Sequence, residues 1–213
     1  MGDSLELAPG CRYLPGFLDR AAQAALIAAL EAVVAAAPFY TPRMPRTGKP
    51  FSVEMTNCGS LGWVADKEGY RYQATHPETG APWPAMPPVL LEAWERLSGY
   101  PHPPEACLVN HYVPTAKMGL HRDEDERDTA APVVSLSLGD TAIFRVGGAQ
   151  RKGPTRSVRL ASGDAIVLGG DSRLAYHGVD RIVAGTSTVL EDWLPGGGRV
   201  NLTLRRVTLP GTG

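Results

Sequence analysis

The sequence predicts a mainly β fold with flanking helices, an α+β chain whose second half forms a sandwich or jelly roll. Two observations predict it. Residues 107–112, 132–138, 141–146, 157–160, 165–168 and 199–205 are short segments, most of them rich in valine, isoleucine and leucine, the composition of strands. Turn signals such as Leu138-Gly139-Asp140 and Ser162-Gly163-Asp164 separate several of them. Short strands at this spacing build two-sheet architectures.

Taken in order, the first element is a helix over residues 21–37. It is rich in alanine, Asp19 can cap its start, and Pro38 stops it. Leu26, Ile27, Leu30, Val33 and Val34 recur at three- and four-residue spacing, so one face packs inward. Pro-rich residues 82–88 form a turn, and a second helix follows over residues 89–98, closed by Gly99. Leu90, Leu91, Trp94 and Leu97 make its apolar stripe, which reads as core. Strands follow from residue 106. Residues 191–198, with three glycines in a row, read as a disordered loop. No internal repeat and no second domain boundary is visible, so residues 1–213 form a single domain.

Composition narrows the function. A length of 213 residues supports one compact domain with a real core. The net charge of −1 excludes a globally basic nucleic-acid binder, so any such binding uses local patches. The three cysteines are far apart and form no Cys-x-x-Cys pair. That excludes a disulfide framework or zinc knuckle and points to a reducing, cytoplasmic setting. No apolar stretch is long enough to span a bilayer, so no membrane partner is expected.

The chemistry centres on Leu120-His121-Arg122-Asp123-Glu124-Asp125. In an extended strand, residues two apart share a face, so His121 and Asp123 would present a nitrogen and an oxygen to one point. His177 is the candidate third ligand. Two histidines and one carboxylate leave open positions on a metal, the arrangement of non-haem Fe(II) oxygenases. Taken alone, His-x-Asp also fits a surface pair in an acidic turn.

Two further stretches bear on function. Residues 39–72 carry Arg43, Arg46 and Lys49, then Trp63, Tyr70 and Tyr72. Cations interleaved with rings suit an unpaired nucleic-acid strand. A solvated loop followed by a hairpin explains the same residues. In the last strand, Arg199, Asn201, Thr203 and Arg205 alternate with Val200, Leu202 and Leu204. The polar face could simply meet solvent, or its arginines could grip a dicarboxylate.

At this point the chain resembles a known family, the bacterial AlkB alkylation-repair dioxygenases. The resemblance runs from about residue 15 to residue 206. It rests on Met55-Thr56-Asn57-Cys58-Gly59, Leu61-Gly62-Trp63, Pro82-Trp83-Pro84-Ala85-Met86-Pro87 and Asn110-His111-Tyr112. It continues with His121-Arg122-Asp123-Glu124-Asp125, Ser135-Leu136-Ser137-Leu138-Gly139, Gly169-Gly170-Asp171-Ser172-Arg173 through His177-Gly178, and Asn201-Leu202-Thr203-Leu204-Arg205.

The resemblance implies a double-stranded β-helix jelly roll, with its core over residues 106–207 and a nucleotide-recognition lid over residues 39–75. It implies Fe(II) held by His121, Asp123 and His177, with 2-oxoglutarate and O2 as co-substrates. Arg199 would hold the distal carboxylate of 2-oxoglutarate, with Asn110, Tyr112, Asn201 and Arg205 as further contacts, Arg205 counting with the triad as catalytic. Trp63 would stack on the damaged base, with Met55, Tyr70, Asp125 and Arg151 around it. The implied activity is oxidative demethylation of 1-methyladenine and 3-methylcytosine in single-stranded DNA, and in RNA, by a monomer. Alternatives are a related dioxygenase acting on RNA or protein, a metal-binding jelly roll without oxidative chemistry, and a nucleic-acid module that has lost its chemistry. His111, Arg145 and an enlarged loop before Arg199 depart from the family pattern.

Overall fold

The computed structural model describes residues 4–211. In chain order these are β1 (Leu5–Ala8), β2 (Cys11–Leu14), α1 (Arg20–Ala36), β3 (Glu54–Gly59), β4 (Gly62–Asp66), β5 (Gly69–Gln73) and α2 (Pro88–Ser98). Then follow β6 (Ala106–Tyr112), β7 (Met118–His121), β8 (Val133–Gly139), β9 (Thr141–Val146), β10 (Arg156–Leu160), β11 (Ala165–Leu168), β12 (His177–Val183) and β13 (Arg199–Arg205).

Eleven strands form two antiparallel sheets that face each other. The larger runs β1-β2-β11-β8-β13-β6-β3 and the smaller β10-β9-β12-β7, while β4 and β5 form a separate hairpin. This is the expected jelly roll. The two helices are also as expected. The Asp19 carboxylate accepts from the Ala22 N–H at 2.8 Å at the start of α1, and Gly99 closes α2 at φ 62°.

Two cores lie on opposite sides of the larger sheet. Leu26, Leu30, Leu90 and Trp94 of the helices pack on Val200, Leu202 and Leu204 of β13. Between the sheets, Phe144, Val146 and Ile182 meet Val133, Ile166 and Leu168. Helices therefore cover the apolar face of β13, and its polar face turns inward, not to solvent. Alternation reports two different environments here, and both are buried.

The sequence predicts no strand at β1, β2, β3 or β12, which are short or polar and carry no clear alternation. It also read residues 191–198 as disordered. The structure instead folds them as consecutive turns, with the Trp193 and Leu194 N–H groups bonded to Leu190 O. Leu190 is fully buried and Trp193 and Leu194 pack against the core. Three apolar side chains fix a segment that its glycines alone would leave loose.

Candidate metal centre and cavity

The space between the sheets opens as a cavity of about 680 Å³. All the metal, co-substrate and base-contact residues that the resemblance implies line it, whereas Arg43, Arg46, Lys49 and Tyr72 do not. Strand register explains much of this. Met55 on β3, Asn110 on β6, Asn201 on β13 and Ser137 on β8 form one cross-strand row. Arg199 pairs with Tyr112 in the row beside it.

His121 ends β7 and lies opposite His177, which opens β12. Gly178 allows the close approach, since a Cβ there would meet Met118 O at 2.6 Å. Asp123 does not continue the strand as expected; β7 stops at His121 and Asp123 sits in the coil beyond it. The three groups still converge, with one ligand atom from each lying within 4.8 Å of the others. The histidine Nε2 atoms lie 3.8 Å (His121) and 3.7 Å (His177) from the Asp123 carboxylate.

The surroundings hold each group in a ligating form. His121 Nδ1 bonds Gly119 O at 3.0 Å and His177 Nδ1 bonds Ala175 O at 2.9 Å. A carbonyl can only accept, so each Nδ1 carries the proton and each Nε2 keeps its lone pair for a metal. Burial pushes the His177 imidazole down to about 4, against the raising effect of Asp123. Burial would raise the Asp123 carboxyl, but Arg205, then His177 and His121, outweigh it and hold it at about 2. At neutral pH the set is one carboxylate and at least one neutral imidazole.

Arg199 is the second unusual group. It is 1% exposed. Its Nη2 donates to Ser137 Oγ at 2.7 Å and its Nη1 to Leu160 O at 3.3 Å, and its Nε has no partner. No carboxylate pairs with it among the described residues. Burial lowers it only to about 10, so it stays a cation in a closed site. Asn201 uses its amide N–H groups on Ser135 Oγ and Leu136 O, and the buried Asn110 Oδ1 has no partner. Burial holds the Tyr112 phenol up at about 12, so its hydroxyl remains a donor.

At the mouth, Trp63 Nε1 donates to Asp125 Oδ2 at 2.7 Å. Tyr70 stacks on Trp63 with centroids 5.4 Å apart and planes at 17°. Arg151 is exposed on the turn between β9 and β10.

The 2OG-Fe(II) oxygenase superfamily matches residues 10–205. Over 202 residues the chain is 56% identical to the alpha-ketoglutarate-dependent dioxygenase AlkB homolog of Caulobacter vibrioides, covering 95% of this chain and 90% of that one. The chain belongs to the AlkB family. It is also 43% identical over 204 residues to the alpha-ketoglutarate-dependent dioxygenase AlkB of Escherichia coli, covering 94% and 91% of the two chains. The solved structure of OsALKBH1 superposes with a TM-score of 0.80 at 33% identity, over 96% of this chain and 100% of that one. As an AlkB-family member the protein is an Fe(II)- and 2-oxoglutarate-dependent dioxygenase that uses O2.

The residues present fit the AlkB cofactors. Asp123 Oδ2 is buried without a hydrogen-bond partner, beside two free imidazole nitrogens. A buried unpartnered acceptor costs free energy unless something binds it, and a divalent ion does so. Arg199 is likewise a buried cation lacking an anion, and a carboxylate of 2-oxoglutarate is of the missing kind.

The sequence did not single out Glu126, Arg173 or the role of Tyr72. Arg205 bonds Asp123 Oδ1 at 2.8 Å and Glu126 Oε1 at 3.0 Å, and Arg173 bonds Glu126 Oε2 at 3.0 Å. The Tyr72 hydroxyl donates to Glu126 and accepts from Arg205. The acidic turn is not a surface feature throughout, since Asp123, Glu126 and Asp128 are all buried. The departures from the family pattern lie off the ligand set. His111 pairs with Glu54 at 3.0 Å and Arg145 with Asp180 at 3.3 Å.

Proposed function

We propose that the protein is an oxidative demethylase of N-methylated nucleobases, acting on 1-methyladenine and 3-methylcytosine in single-stranded DNA and in RNA. The observation that carries this is the arrangement along one cavity: a ligand triad within, an unpaired buried Arg199, and at the mouth an indole tied to a carboxylate. Fe(II) held by His121, Asp123 and His177 would supply the oxidation, with 2-oxoglutarate and O2 giving succinate, CO2 and a hydroxylated N-methyl carbon. The resulting N-hydroxymethyl group then breaks its C–N bond, so formaldehyde leaves and the base is restored.

The chain's own residues would do the rest. Arg199 and Ser137 hold the far carboxylate of 2-oxoglutarate, and the hydroxyl of Tyr112 donates to the same co-substrate. Arg205 fixes the Asp123 carboxylate. Asn110 and Asn201 line the wall between them. A flipped base stacks on Trp63, with Met55 and Tyr70 beside it, and Arg151 meets a flanking phosphate. The carboxylate of Asp125 faces an exocyclic amine and a cationic ring, which 1-methyladenine and 3-methylcytosine both offer. Residues 39–75 act as the recognition lid of a single domain. The protein acts as a monomer.

The test is formaldehyde release from a short single strand containing 1-methyladenine, with and without 2-oxoglutarate. Release that needs 2-oxoglutarate is expected. Succinate production without base restoration on any methylated DNA or RNA, but with a methylated peptide, would replace this reading with a protein-directed one.

A further inference from the structure

We propose that the outer face of the smaller sheet is a phosphate track, along which Arg145, Arg159 and Arg181 carry the nucleic-acid strand away from the cavity mouth. The inference rests on the demethylase reading and adds to it where the rest of the strand lies.

Side-chain alternation defines the face. Ala142, Phe144 and Val146 of β9 are buried between the sheets, so Ile143 and Arg145 point the other way. Register then sets Arg159 of β10, Ile143 and Arg181 of β12 in one row. Ser157, Arg145 and Gly178 form the next row. Successive rows on one face lie about 7 Å apart. Arg159 and Arg181 are exposed, and their guanidinium groups have no hydrogen bond or ion pair among the described residues.

The charge on this face is one-sided. Of the charged residues of β9, β10 and β12, Arg145, Arg159 and Arg181 face outward against a single acidic residue, Asp180, while Arg156 pairs with the inward Val146 and belongs to the other face. The whole chain has a net charge of −1, so the positive balance of this face is a local feature. Asp180 pairs with Arg145, but a half-exposed pair is worth little and is readily exchanged for a phosphate. Ile143, the apolar residue in the row, is half-buried, so the face offers charge and not an apolar patch.

Continuity with the cavity selects the partner. The turn joining β9 to β10 carries Arg151, which lines the cavity mouth, and Lys152 next to it. From there the cations run over the sheet edge to Arg145 and on to Arg159 and Arg181. A polyanion whose base sits in the cavity reaches all of them, and salt-dependent phosphate contacts of this kind carry no sequence preference.

The experiment compares the full-length protein with its Arg145→Gln/Arg159→Gln/Arg181→Gln variant. Binding and formaldehyde release are measured on single strands of about 5 and about 25 nucleotides, each bearing one 3-methylcytosine, over a salt series. The parent is expected to bind the long strand more tightly than the short one. The variant should lose about tenfold or more on the long strand and keep its turnover of the short one. Its salt slope on the long strand should fall by about two, since each phosphate contact to a single strand contributes about 0.7. The Arg159→Gln/Arg181→Gln variant, altered only at exposed positions, should show about two-thirds of that change in slope. Equal long-strand affinity and slope in parent and variants would overturn the track while leaving the demethylase reading intact. A parent inactive on every methylated oligonucleotide would overturn both.

Discussion

The indole N–H of Trp63 donates to the carboxylate of Asp125 at 2.7 Å. The hairpin strand β4 is thus tied to the loop that also carries Asp123. Only one carboxylate oxygen is used, so the other stays available to a base. Asp125 has two separable duties, holding the stacking ring and supplying negative charge.

Substitution separates them. Asp125→Ala should lower kcat/KM for 1-methyladenine and 3-methylcytosine about tenfold or more, at roughly 1.5–3 kcal/mol for a hydrogen bond to a charged group. Activity on 1-methylguanine and 3-methylthymine, which present an oxygen in place of the amine, should fall much less or rise. Asp125→Asn keeps an acceptor for Trp63, so it should bind methylated strands as the parent does and still lose the preference for cationic bases. A uniform loss across all four bases in both variants would show that Asp125 only supports the loop.

Arg199 predicts an opposition between stability and co-substrate use. A buried cation without an anion destabilises the protein until one binds. Added 2-oxoglutarate with a divalent metal should therefore raise the parent's Tm. Arg199→Met should melt no lower than the parent without 2-oxoglutarate, and should lose that rise. Its requirement for 2-oxoglutarate should increase on the order of 10- to 100-fold, from about 1.5–3 kcal/mol for a charge-assisted contact. Thermal melts and succinate titrations decide the matter; an unaltered 2-oxoglutarate requirement would remove Arg199 from the co-substrate site.

The triad should not behave uniformly. His121→Ala, Asp123→Ala and His177→Ala should each abolish demethylation, because two remaining ligands hold Fe(II) too weakly in an open site. Stability should distinguish them. His121 is partly exposed, and among the described residues its ring makes one hydrogen bond, to Gly119 O, so its loss should hardly move Tm. Asp123 is buried against Arg205, and removing one partner of such a pair costs about 3–5 kcal/mol. Melting temperatures of the metal-free variants test this order, and equal Tm for His121→Ala and Asp123→Ala would contradict it.

Much of this was legible in the sequence. The i, i+2 spacing of His121 and Asp123 and the alternation of β13 are local patterns, and both led to the cavity. The pairing of His177 with His121 was not legible from spacing, because register across 56 positions depends on the whole sheet. The buried acids were hidden for a related reason. A carboxylate looks solvated until the arginines that neutralise it are known, and Arg173 and Arg205 lie far along the chain from Glu126. Conversely, the glycines of residues 196–198 suggested disorder, while the buried Leu190 and the packed Trp193 that order the loop precede them.

Glu126 gives the last prediction. It is buried, and it joins Arg173, Arg205 and the Tyr72 hydroxyl. Arg205 in turn holds Asp123, and Arg173 donates to the Asp123 backbone carbonyl at 2.8 Å. Two buried arginines are thus balanced by two buried carboxylates, and removing either charge leaves the set unbalanced. Glu126→Gln should cost about 3–5 kcal/mol of stability, the usual result of breaking a buried pair from one side. It should also loosen Asp123, so metal affinity should weaken although Glu126 touches no metal-facing atom. Tyr72→Phe removes one hydroxyl and no charge, so its stability cost should be smaller, about 1.5–3 kcal/mol for hydrogen bonding to charged groups. Mn(II) titration and thermal melting of the metal-free proteins separate the two effects. Full metal affinity in a Glu126→Gln variant with lowered Tm would show that the network supports the fold and does not position the ligand.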